Sequence, residues 1–382
     1  MGLATGHLVN RIIKLLIGWP AGLTWALASP TGLAAPLVLQ NGQASLTVEA
    51  YANATAGLGA ADDLGAGRDD ARLDGALRLL ARRDFTAGPD LGARVVLRTS
   101  PEDRLEIGEA SLLLLGKGGR LEFGDRQGLP DVLVGYASNN FTFTGAEFGP
   151  ASGPSLDPGG GLQLAFLSPE LADQLLPLTS LGFTATLAAD ESTKLLYVSP
   201  KYRGLLAGVS YAPDATDPGV HDLVQVGLTH DTYWADNALH VGGSYSYGNS
   251  GRPLHSINVG ATLVLDYDLQ IGVSATYDGT TGRIRSADSP SPASTFGAVG
   301  SLNYNRGPWT VGGYLQWAQS EGDDDPGTDE LRAGELGVSY RTSTRVRLYG
   351  AYYYVDFSDE GGNGSLTDTR GGVFLVGLRA AL

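Results

Sequence analysis

A strict alternation of apolar and polar residues, sustained over about 9–13 residues at a time, constrains this chain more than any other feature. Ile257, Val259, Ala261, Leu263, Leu265 and Tyr267 share one parity, against Asn258, Gly260, Thr262 and Asp266. After a tight turn near Asp268 the pattern returns, with Leu269, Ile271, Val273, Ala275 and Tyr277 against Gln270, Gly272, Ser274, Thr276 and Asp278. Trp309, Val311, Gly313, Leu315 and Trp317 repeat it, as do Phe374, Val376, Leu378, Ala380 and Leu382 against Gly377 and Arg379. Successive side chains of a strand point to opposite faces, so each run reads as a strand with one apolar and one polar face. Helical periodicity is almost absent after the N-terminal segment.

Alternation is common to soluble sandwiches and membrane barrels. Three further features favour the barrel. The runs exceed the usual globular strand of about 5–6 residues and suit tilted membrane crossings of about 9–11. Aromatic residues such as Trp309 and Trp317 mark both ends of an apolar band; eight residues on a tilted strand rise roughly 19 Å, near the ~25 Å belt of such barrels. The connections also alternate in length. Sixteen strands can be drawn, near 43–57, 70–85, 91–99, 104–115, 118–126, 193–199, 204–212, 222–234, 238–248, 254–266, 269–278, 295–305, 308–318, 331–341, 344–357 and 370–382. Joins after the even-numbered strands are short ("GKG", "ADN", "RGP"), whereas most others are longer and polar ("RSADSPSPAS", "EGDDDPGTDE"). The expected fold is all-β: a transmembrane antiparallel β-barrel of about sixteen strands.

The N-terminus has the pattern of an export signal. Arg11 and Lys14 precede the apolar run "LLIGWPAGLTWALA", and Ala26-Leu27-Ala28 offers small residues for cleavage after Ala28, with Ala35 as a second candidate. The organisation read is therefore a signal peptide over 1–28 and a barrel over 29–382, with no later stretch of the ~18 apolar residues a membrane helix needs. The net charge of −15 argues against a nucleic-acid partner. With no cysteine, disulfides, zinc–thiolate sites and cysteine nucleophiles are excluded.

Four stretches resemble the general porins of Gram-negative outer membranes: "QASLTVEAYANATAGL", "ARLDGALR", "LEFGDRQG" and the terminal "GVFLVGLRAAL". The resemblance implies a homotrimer of sixteen-stranded barrels in outer-membrane lipid, passing small hydrophilic solutes. It also implies a long loop folded into the lumen, here residues 127–192. That segment runs to about 65 residues without a convincing strand, far beyond an ordinary connection of about 4–6.

Strand parity selects the candidate pore residues. Arg72, Arg78 and Arg82 oppose Leu73, Leu77 and Leu79; Arg94 and Arg98 oppose Val95 and Leu97; Arg120 and Arg126 oppose Leu121 and Phe123. A basic group facing lipid at mid-depth costs about 2–4 kcal/mol, so these arginines belong on the inner wall. The family pattern implies an acidic loop across from such a wall, and "GAEFGP" resembles its tip. The pore-constriction set is therefore Arg72, Arg78, Arg94, Arg98, Arg120, Arg126, Glu147 and Asp131, with Asp157 as a further acid. Pairing of the arginines with nearby Asp74 and Glu122 is the alternative, and Arg82 and Arg83 read as rim residues. Asp125, inserted between Gly124 and Arg126, shifts Arg126 relative to the family pattern unless a bulge absorbs it.

No cofactor is called for. The acidic run from Glu321 to Glu330 could hold calcium, but its spacing is not that of an EF-hand and a solvated loop is the simpler reading. His230 shares parity with Val224, Val226 and Leu228 and reads as a girdle residue, and no histidine has triad or metal spacing. An enzyme is not expected. A secreted β-sandwich and an outer-membrane barrel hydrolase are the rival readings.

Overall fold

The computed structural model describes residues 24–26, 37–61, 68–86, 88–99, 105–134, 192–214, 220–249, 253–266, 268–279, 294–321, 328–358 and 368–381. Among them are eighteen strands in one antiparallel sheet. Two short strands come first, β1 (Thr24–Ala26) and β2 (Leu37–Asn41). Sixteen then follow: β3 (Ala44–Ala61), β4 (Arg68–Arg83), β5 (Asp90–Thr99), β6 (Leu105–Gly116), β7 (Gly119–Asp125), β8 (Thr193–Val198), β9 (Leu205–Asp214) and β10 (His221–Trp234). The second half comprises β11 (Asn237–Asn249), β12 (Pro253–Leu265), β13 (Leu269–Gly279), β14 (Thr295–Arg306), β15 (Trp309–Glu321), β16 (Thr328–Arg341), β17 (Val346–Ser358) and β18 (Thr369–Ala381). One helical turn, α1 (Leu129–Leu133), follows β7.

Each of these sixteen strands pairs with the next, and β18 pairs with β3 from Gly371↔Ala61 to Ala381↔Tyr51. Strands β3 to β18 thus close into a barrel, as the hydrocarbon of a bilayer requires. β2 folds back on the start of β3, and β1, within the stretch read as a signal, pairs with β2. Short turns such as Lys117-Gly118, Ala235-Asp236 and Gly307-Pro308 gather at one rim.

The burial pattern is inverted relative to a soluble protein. On β12 and β13 the apolar positions Ile257, Val259 and Val273 are about half exposed, whereas Ser256, Asn258, Thr276 and Asp278 are fully buried. Apolar side chains point outward and polar ones inward, which excludes the sandwich, whose apolar faces would meet in a core. Aromatic pairs mark both borders of the outer belt. Trp309 packs on Tyr340 beside the short turns, with centroids 4.6 Å apart, and Trp317 on Phe296 toward the other end, at 5.6 Å. His230 lies on the outer face with Leu228 and Val226, as its parity predicts.

The inner surface is not uniformly polar. Tyr353, Val355, Val373 and Leu375 of β17 and β18 are fully buried on the inner side. An inner position need only find a packing partner, and parity says which side a residue faces rather than what covers it. At the closing seam, Tyr349 lies across Gly377 of β18, where a Cβ would come 2.2 Å from its ring. Its hydroxyl donates to Asn53 Oδ1 at 2.9 Å and is hydrogen-bonded to Thr55 at 2.5 Å, so one side chain ties β17 to β3 over the strand between them.

Candidate functional site

Charged side chains gather on the inner arc formed by β4 to β8. Glu122, at mid-strand in β7, is 2% exposed and has three arginines around it. Arg120 Nε lies 2.7 Å from its Oε1, Arg126 Nη1 is ion-paired with its Oε2, and Arg94 Nη1 is 3.9 Å from that same oxygen. Arg94 is also 3.7 Å from Glu109 of β6, and Arg78 of β4 pairs with Glu49 of β3. Lys194 of β8 is buried on the same side. A unit pair at 4 Å is worth about 4 kcal/mol at an effective dielectric near 20. Charges separated by more than a Debye length of about 8–10 Å through saline water are largely screened. Carboxylates within the wall therefore compensate these arginines more strongly than an acid across an open lumen.

The strand approaches Arg126 through a glycine in an unusual conformation. Gly124 has φ +135°, and a Cβ there would fall 2.3 Å from the carbonyl oxygen of Ala110. The ladder runs through Gly124 and Asp125 without a register shift, pairing Asp125 with Ala110 on one side and Thr193 on the other. Asp125 thereby takes the outward position, where the Thr193 hydroxyl donates to it, and Arg126 returns to the inner side with Glu122. No bulge is required.

Immediately beyond, α1 packs against the inner wall. Leu129 and Leu133 are buried against Leu196 and Val198 of β8, with Leu206 of β9 beside them. Gly208 and Gly227 make room: a Cβ on Gly208 would lie 2.5 Å from Leu129 Cδ1, and one on Gly227 3.0 Å from Leu133 Cδ1. Gln225 Oε1 accepts the Leu129 N–H at 3.0 Å and the Ser210 hydroxyl at 2.8 Å, which fixes the entry to the turn. Val198 serves as packing surface for α1.

Of the residues singled out from sequence, Arg94, Arg120 and Arg126 come together around Glu122. Arg78 lies on the same inner arc with Glu49. Arg98 is in β5 opposite Ala76, and Arg72 is in β4 opposite Thr55, its side chain outside the description. Arg82 is a rim residue, bonded to Asp84 at 2.7 Å and Asp90 at 2.6 Å. Asp131 is on α1, away from the arginines' own strands. Glu147, Asp157 and Asp323 to Asp325 lie outside the described residues. The signal cleavage reading concerns residues that, except for Thr24–Ala26, also lie outside them. Glu49, Glu109 and Lys194 were not selected from sequence. Glu109 was obscured by the irregularity opposite Val96 and Leu97, which breaks simple parity counting on β6. On the opposite outer wall, a shallow apolar groove of about 940 Å³ lies between Leu228 and Leu315 and contains none of these residues.

A closed barrel with an apolar outside, aromatic borders and an ion-paired inside is a transmembrane channel scaffold. The chain belongs to the Gram-negative porin family, whose profile matches residues 23–360, and it is an outer-membrane porin channel. Solved porin structures share the fold at low identity. OmpF of Salmonella typhi, in complex with daunomycin, superposes with a TM-score of 0.64 at 13% identity over 91% of this chain and 100% of that one. The anion-selective porin of Comamonas acidovorans gives 0.59 at 15% identity, over 89% and 100%. The trimer form of OmpT of Vibrio cholerae gives 0.55 at 14%, over 88% and 99%. By sequence alone the chain has no significant match among curated proteins.

Proposed function

We propose that the barrel passes small hydrophilic solutes and ions by passive diffusion. In this reading the segment 127–192 narrows the lumen, the arginine-bearing arc sets its field, and no bond is made or broken. The observation that carries it is the Arg94–Arg120–Arg126 group on the inner arc. It is supported by α1, which brings the chain after Arg126 onto the neighbouring inner wall. Fixed charge and width suffice for selection in such a pore.

A homotrimer is the assembly this reading favours. Asp125 faces outward seven residues above the Lys117-Gly118 turn, roughly 17 Å up a tilted strand and so within the apolar belt. A carboxylate there is better placed against another subunit than against lipid. Four strands round the barrel, the outer face of β3 carries Ala50, Ala52, Ala54, Ala56 and Ala60, broken only by the exposed Leu58 near one end, which leaves most of that face small enough for close approach of a second wall.

Planar-bilayer recording on the purified protein tests the channel. Stepwise conductance is expected, and Arg126→Gln should move the reversal potential in a salt gradient toward that of the cation. Protein that is folded by heat-modifiable gel mobility yet never conducts would overturn the reading, and release of product from an ester substrate would favour a barrel hydrolase.

A further inference from the structure

We infer that Glu122 is the residue that sets the ion selectivity of this wall, acting as the shared counter-charge of three arginines. The inference rests on the diffusion-channel reading above and assigns a residue that the expected pattern, arginines on one side and acids across the lumen, leaves out.

Glu122 projects inward from β7 between Arg120, two residues before it on the strand, and Arg126, four residues on and just past the strand's end, all of one parity. Each of its oxygens faces a different guanidinium: Oε1 that of Arg120, Oε2 that of Arg126, with Arg94 of β5 approaching Oε2 from two strands away. No other described carboxylate has ion pairs to more than one of these three; Glu109 meets Arg94 alone. Arg78 and Glu49 form a separate pair on the same arc. Removing Glu122 raises the positive charge around Arg94, Arg120 and Arg126 by one and takes away the carboxylate that Arg120 and Arg126 share.

Position reinforces the charge count. An acid in contact with the guanidinium groups acts inside the Debye length at any ordinary salt concentration, whereas one across a wet lumen is progressively screened. Glu122 also holds the arginines in place. Arg126 hydrogen-bonds the carboxylate while Arg120 and Arg94 are held by its charge, and without it three like charges carried by β5, β7 and the residue after β7 repel. The three arginines are consequently compensated, at contact distance, by one shared side chain.

The test is reversal potential in a tenfold potassium chloride gradient for wild type, Glu122→Gln, Arg126→Gln and the double change, each first checked for heat-modifiable mobility. Glu122→Gln is expected to shift the potential toward that of chloride, opposite to Arg126→Gln, with the double change between the two. Conducting Glu122→Gln channels with an unmoved potential, or one moved toward potassium, overturn the assignment while leaving the porin reading intact. Should Glu122→Gln not fold, the double change decides: coincidence with Arg126→Gln means that Glu122 contributes no selectivity. Absence of channels in wild type is a separate outcome and removes the reading on which the inference rests.

Discussion

Gly124 holds a backbone conformation that other residues rarely adopt, two residues before Arg126. Its backbone lies in the left-handed region, φ +135°, and a methyl group would press on the Ala110 carbonyl at 2.3 Å. Gly124→Ala is therefore expected to cost about 1–3 kcal/mol of strain. By shifting the backbone two residues before Arg126 it should also disturb the selectivity proposed for that residue. The checks are the urea midpoint of the heat-modifiable band and the reversal potential; a wild-type value for both would show that the turn tolerates a side chain. In the sequence, parity put Arg120, Glu122 and Arg126 on one side, and that placement agrees with the structure. What parity left open was partnership. Whether Glu122 neutralises its neighbours or stands apart from them depends on Arg94, which comes from two strands away, and nothing in the local pattern supplies that contact.

Among the elements, the sixteen barrel strands were legible because lipid and water impose opposite demands on alternate residues, so the pattern persists along every strand. The strand ends fall within a few residues of the expected ones; the exact stops depend on turn chemistry and on pairing rather than on alternation. Helix α1 was not legible. Five residues are too few for a periodic signal, and Leu129 and Leu133 are buried only because two distant glycines, Gly208 and Gly227, vacate the space. A leucine at Gly208 cannot coexist with the present position of Leu129, whose Cδ1 would be 2.5 Å from the new Cβ. Gly208→Leu should displace α1 from the wall at a cost of about 1–3 kcal/mol, the usual range for overpacking. Single-channel current is the readout, with a changed mean conductance and more open-channel noise expected. Wild-type conductance and noise in a folded variant would mean that α1 has no part in defining the pore.

For the whole molecule, β18 closes the barrel on β3, and the outer surface differs around its circumference. One side carries the alanine row of β3 and the outward Asp125–Thr193 pair; the other carries the exposed Val273, Leu315 and Trp317 of the shallow groove. The groove side also carries small outward residues (Gly243, Ala261, Ala275, Ala298, Gly300), so the outward Asp125 is what leads us to propose the first side for contact with another subunit. Alternation alone could not separate these two sides, because a lipid-facing row and a subunit-facing row are both apolar and differ only in size and in single polar exceptions. The distinction can be measured with two bulky substitutions on opposite sides. Ala54 of β3 and Ala298 of β14 both point outward, the first opposite Leu378 and the second opposite Ala275. Light scattering in detergent, corrected for bound surfactant, should give a mass of three chains for wild type and for Ala298→Trp. Ala54→Trp should give single barrels that keep heat-modifiable mobility, since the indole obstructs close approach without entering the sheet. A monomeric wild type would exclude the homotrimer. An intact trimer in Ala54→Trp with dissociation in Ala298→Trp would transfer the interface to the groove side and leave Asp125 facing lipid.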